Sequence, residues 1–203
     1  MSKQVIVFID GQNLYHLARV AWASLPTADY RFSYPSYDVK RLASTLVARE
    51  SGRDLKQVRF YTGVPDQFQD PHWNGFWNNK LRFLKSQGIH IYRGRINPGG
   101  QEKGVDVSLA IDLIQLTHEK VYDVALIVSH DRDFGPAVKL AKKIAASQQR
   151  FLDFESAFPY EPEDTDKPRP PRGIPGTRWQ TIDMPTYASC FDPIDYRQFK
   201  HTP

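Results

Sequence analysis

The sequence, 203 residues long, predicts an α/β domain built on a mostly parallel sheet. Three observations carry that reading. Short β-branched runs alternate along the chain with longer stretches of helical spacing. The runs at 5–9 and 125–128 are almost uninterruptedly apolar, as strands covered on both faces must be. Two of the runs end abruptly in an Asp-containing turn, after which helical spacing resumes.

In order, the first strand spans 5–9 and stops at Asp10, and a helix follows over 14–23. Helical spacing returns over 39–49, a second strand over 58–61, and a third helix over 73–86. A third strand at 89–92 precedes a Gly-rich loop, Asn97 to Gly100, whose composition predicts a mobile connection. A helix over 105–118 leads to the fourth strand, 124–128, then to a helix over 136–146 and a weaker strand at 150–154. Past Glu155 the texture changes, and nine of the 15 prolines lie between Pro159 and Pro203. The run from Lys167 to Arg172 can form neither helix nor sheet interior, so 158–176 reads as an extended linker. Trp179, Ile182, Met184, Tyr187, Phe191 and Tyr196 then offer anchors for docking back. This divides the chain into a core, 1–155, and a Pro-rich extension, 156–203.

Composition excludes several classes. No apolar stretch approaches the ~18 residues of a membrane span. The five apolar residues before Asp10 are too few for a secretory signal. Cys190 is the only cysteine, which rules out an internal disulfide and a Cys-based zinc cage and makes a reducing, cytoplasmic setting the default. The net charge of +4 leans toward anionic partners.

The carboxylates concentrate where chemistry is expected. In open α/β sheets, sites form beyond the carboxyl ends of strands, where strand order reverses. If the first and fourth strands are neighbours, Asp10, Asp131 and Asp133 share that crevice. Asp106 opens the helix after Lys103-Gly104 and lies off its polar stripe, which comprises Ser108, Asp112, Gln115 and Glu119. Asp112, on the stripe, faces solvent. Each Asp singly could be an N-cap or turn former; agreement of three separate segments is what counts. Gathered carboxylates repel unless a cation is present, and oxygen-only ligation selects Mg²⁺ or Mn²⁺.

The segments Phe8-Ile9-Asp10-Gly11-Gln12-Asn13-Leu14, Lys103-Gly104-Val105-Asp106-Val107 and Ser129-His130-Asp131-Arg132-Asp133-Phe134 together resemble the NYN domain family, LabA-like group, of the PIN-like nuclease superfamily. The resemblance covers roughly 4–155. It implies a PIN-like three-layer α/β/α sandwich and a metal-dependent ribonuclease that hydrolyses RNA in line, leaving a 5′-phosphate and a 3′-hydroxyl. It also implies Asp10, Asp106, Asp131 and Asp133 as catalytic metal ligands for Mg²⁺ or Mn²⁺, with Asn13 and Ser129 holding them by hydrogen bonds. It keeps Asp112 as a further acidic candidate. His130 and Arg132 depart from the small residues typical there: His130 packs the turn or contacts the scissile phosphate, while Arg132 and Lys103 suit the substrate backbone.

Lys80, Arg82, Lys85, Arg93 and Arg95, interleaved with Trp73, Trp77, Phe83 and Tyr92, suit single-stranded RNA or form an ordinary amphipathic helix. Lys139, Lys142 and Lys143 read as a solvated helix face. Two rivals remain: a weak or silent NYN-type module that binds RNA or protein, and another phosphoryl enzyme. A haloacid-dehalogenase phosphatase lacks its second Asp, since residue 12 is Gln, and a Toprim nuclease would have Glu in place of Asp10.

Overall fold

The computed structural model describes residues 2–26, 28–97, 99–161 and 172–197. The elements run β1(Lys3–Asp10), α1(Gly11–Trp22), α2(Val39–Val47), β2(Arg53–Val64), α3(Pro71–Ser86), β3(His90–Ile96), β4(Glu102–Lys103), α4(Val105–His118), β5(Val124–Val128), α5(Gly135–Ser147), β6(Asp153–Pro159), β7(Arg178–Ile182) and α6(Met184–Ser189). Short 3₁₀ turns occupy Tyr30–Ser33 and Arg132–Phe134.

The seven strands form one sheet in the order β4-β3-β2-β1-β5-β6-β7. All pairings are parallel except β3–β4, which is an antiparallel hairpin. From β1 the chain builds outward through β2, β3 and β4, then returns to β5 on the other side. The reversal therefore falls between β1 and β5.

The apolar runs follow from this position. Val5, Val7 and Ile9 of β1 enter one core with Val124, Leu126 and Val128 of β5. Ile6 and Phe8 enter the opposite core with Ala125 and Ile127. Alternate side chains serve opposite faces, so both must be apolar. Helices α1, α2, α3 and α6 cover the first face, and α4 and α5 the second, giving three layers.

Two glycines fix how the helices leave the sheet. A Cβ on Gly11 would lie 2.6 Å from the Phe60 ring, so only glycine lets α1 start this close to β2. Gly104 has φ +84°, and its Cβ would meet the Tyr92 hydroxyl at 2.9 Å; the sharp entry to α4 needs it.

The region past residue 155 departs from the expected linker at both ends. Phe158 and Pro159 belong to β6 and Ile174 is fully buried, while past the expected linker Arg178–Ile182 adds β7 beside β6. Residues 162–171, which hold most of the Pro-rich run, lie outside the described residues. The anchors dock as expected at Ile182, Tyr187, Phe191 and Tyr196, all buried, whereas Trp179 stays 48% exposed. The loop after β3 is also more regular than its composition suggests. It turns on Asn97, whose amide donates to the Gln101 carbonyl at 2.9 Å and whose side-chain oxygen accepts the Gln101 amide at 2.9 Å.

Candidate active site

Register brings the acids to one edge. Ile9 pairs with Val128, so the next residues, Asp10 and Ser129, leave the sheet at the same level. Asp10 caps α1, with its Oδ1 accepting the Asn13 amide at 3.0 Å. Its Oδ2 accepts the Ser129 hydroxyl at 3.3 Å. Only 4% of the residue is exposed. Burial pushes its carboxyl up to about 7; the Asn13 amide and Ser129 hydroxyl oppose this, while the Asp106 and Asp131 charges add to it.

Asp131 caps the 3₁₀ turn beyond β5, accepting the Asp133 amide at 2.9 Å, and its own amide donates to Ser129 Oγ at 3.1 Å. Asp133 is exposed, as is Asp106 in the first turn of α4. Partial burial raises the Asp106 carboxyl, and the charges of Asp131 and Asp133 raise it further. The four acids expected from the sequence thus feel one another's charge from β1, α4 and the turn after β5. Among the described residues none of them pairs with Lys or Arg.

A fifth acid was not anticipated. Glu102, on the two-residue β4, accepts the Gly63 amide. Its carboxyl is pushed up to about 7, chiefly by burial and also by the charges of Asp10 and Asp106. Its place two residues before Gly104 was the available signal. As the side chains stand, no three of these carboxylates, among the described residues, close to the spacing of one ion's ligands. They form a shared electrostatic neighbourhood at the switch point.

The NYN domain model matches residues 4–146, a span that contains all five acids. The chain belongs to the NYN domain family. NYN domains are part of the PIN-like nuclease superfamily, whose members generally act on nucleic acids and typically use divalent metals. The fold is similar to the crystal structure of a protein of unknown function from Vibrio parahaemolyticus. The TM-score is 0.51 at 15% identity, over 90% of this chain and 94% of that one. No curated protein matches the chain.

Around the acids of this NYN domain, the supporting residues divide the work differently from expectation. Ser129 does hold Asp10 by its side chain, but Asn13 does so only through its backbone. The Asn13 side chain instead accepts the His130 amide at 3.2 Å and faces His130 Nδ1 at 3.5 Å. His130 packs against Phe158, with ring centroids 5.9 Å apart, and burial lowers its basicity despite the Asp131 charge.

Asp112 does not face solvent freely. Its Oδ2 accepts the Tyr61 hydroxyl at 2.6 Å and two Arg59 nitrogens at 3.1 and 2.9 Å, so its charge is spent inside the α4–sheet interface. Lys80 also leaves the basic surface assigned to it. It is fully buried, donating to the carbonyls of Tyr37 at 2.6 Å and Pro35 at 3.1 Å and to Asp192 at 3.2 Å.

The remaining cations stay at the surface. Arg93 donates to Asn78 at 2.9 Å, Lys103 reaches Gln101 at 3.4 Å, and Arg95 and Arg132 are exposed. Among the described residues, no helix is long and apolar enough to cross a membrane.

Proposed function

We propose that this NYN domain is a metal-dependent ribonuclease acting at the crevice between β1 and β5. One observation carries the reading: carboxylates from three separate segments feel one another's charge there, and among the described residues none of them pairs with a Lys or Arg. Structural acids in such a place normally have a cationic partner, as Asp112 has Arg59. The donor set is all carboxylate oxygen, which fits a hard divalent ion, Mg²⁺ or Mn²⁺.

Asp10, Asp106, Asp131 and Asp133 would hold that ion, with Glu102 beside them. When bound, it neutralises phosphate charge and activates water for hydrolysis. The chain's own groups set the stage. Ser129 and the Asn13 amide fix the rotamer of Asp10. Exposed Asp106 and Asp133 face the solvent from which substrate arrives. Lys103, Arg132, Arg93 and Arg95 supply the positive charge that attracts an RNA backbone.

The test is cleavage of a labelled RNA with Mn²⁺ or with EDTA, by the wild-type chain and by Asp10→Asn. Cleavage confined to the wild type with Mn²⁺ is expected. RNA binding without cleavage under every condition would instead mark a silent NYN module, and the LabA-like group would then offer no guide to activity.

A further inference from the structure

Two cavities open beside the acids and share a wall. The first, about 870 Å³, is walled by Tyr15 and His16 of α1 and by Trp73 and Trp77 of α3, and reaches Glu102 and Asp106. The second, about 830 Å³, is lined by Arg93 and Arg95. Pro65, Gln69 and Ile96 border both, so the two adjoin.

Charge sorts what each can take. Glu102, Asp106 and Asp70 outnumber the one guanidinium, Arg19, in the lining of the aromatic cavity, a balance that disfavours a phosphate but not a neutral ring. The second cavity presents two guanidinium groups against the single carboxylate of Asp66, a net positive lining that suits a phosphate. The aromatic walls are held in place. The Tyr15 hydroxyl donates to the Ser33 carbonyl at 2.9 Å, and Trp73 packs edge-on to Phe76 with centroids 5.1 Å apart. Gln12 and Gln69 also line this cavity, and each side-chain amide offers a donor and an acceptor as a base edge requires.

We propose that the aromatic cavity is a subsite for one unpaired nucleobase, stacked against Tyr15 and Trp73 and read by Gln12 and Gln69, with the next phosphate on Arg93 and Arg95. The naming of the ligand as nucleic acid rests on the nuclease reading of the acids. A base held in a duplex must leave its stack and its partner to enter, so the subsite selects single strands.

The test measures binding, not cleavage. Asp10→Asn protein in EDTA is titrated with a short fluorescein-labelled single-stranded RNA, with the same strand in a duplex, and with an abasic strand. The single strand binds about tenfold tighter than the duplex, and Tyr15→Ala or Trp73→Ala removes most of that advantage. Arg95→Ala weakens the intact and abasic strands alike and lowers the salt dependence. Because Trp73 also touches the core, Gln69→Ala serves as the variant on the cavity rim: it changes the preference among the four bases at an unchanged melting temperature.

Equal binding of duplex and single strand overturns the proposal, as does no RNA binding, or normal binding by natively folded Tyr15→Ala and Gln69→Ala. Selective binding without wild-type cleavage keeps the subsite and removes the nuclease. Metal-dependent cleavage indifferent to Tyr15 and Gln69 does the reverse.

Discussion

The Ser129 hydroxyl donates to Asp10 at 3.3 Å while accepting the Asp131 amide at 3.1 Å, so one small side chain couples the two acids across the strand-order reversal. Ser129→Ala removes both bonds at a buried position. The expected loss is about 1–3 kcal/mol in urea unfolding. The Asp10 carboxyl, deprived of a donor, also rises further, which moves the acidic limb of the cleavage pH profile upward. An unmoved limb would show that Ser129 does not tune Asp10.

Asp10 and Glu102 make the metal-free protein sensitive to pH. Their folded values, about 7 each, lie above the ordinary 3.8 and 4.5. Between those limits the folded state holds more protons than the unfolded one, so stability falls as pH rises toward 7 and stays low above it. In EDTA the melting temperature is therefore higher at pH 5.5 than at pH 8, and Mn²⁺ restores it at pH 8. Asp10→Asn keeps the α1 cap and removes the charge, so it melts higher than wild type at pH 8 in EDTA.

Glu102→Gln separates charge from structure. The amide oxygen still accepts from Gly63, so the fold stays intact. Loss of the charge is expected to reduce cleavage at least tenfold and to raise the Mn²⁺ concentration needed for half-maximal rate. Unchanged kinetics would assign Glu102 to the hairpin alone.

Asp112→Asn gives the opposite pattern. It breaks up the Arg59–Tyr61 cluster and costs about 1–3 kcal/mol of stability, while cleavage by the folded fraction stays within a few-fold of wild type. A loss of metal dependence would return Asp112 to the catalytic acids.

Lys80→Met leaves Asp192 buried without its cation, a change that typically costs about 3–5 kcal/mol. Adding Asp192→Asn recovers part of the loss, as denaturant melts of the single and double variants will show.

Much of this was readable before any coordinates. β1 and β5 are legible in the sequence because both faces are buried, and Asp10 and Asp131 stand just where such strands end. The helix over Val105–His118 was placed to the residue. What escaped depended on long-range pairing. In β7 only Ile182 is buried, while Arg178, Gln180 and Thr181 give no apolar period. β4 exists only through its pairing with Arg95 and Ile96, so nothing but a place two residues before Gly104 pointed to Glu102. Asp112 sat on a polar stripe by spacing, but Arg59 and Tyr61 reach it from a strand that the stripe cannot reveal.

The C-terminal rings close the core under α1: Tyr187 lies against Trp22 at 5.2 Å, and Phe191 against Phe32 at 5.2 Å. During synthesis the five acids leave the ribosome well before those rings do. A chain cut short of Tyr187 would carry every acid of the crevice yet leave Trp22 and Phe32 without these packing partners. The segment that contributes no acid to the crevice thus completes the packing beneath the helix that Asp10 caps.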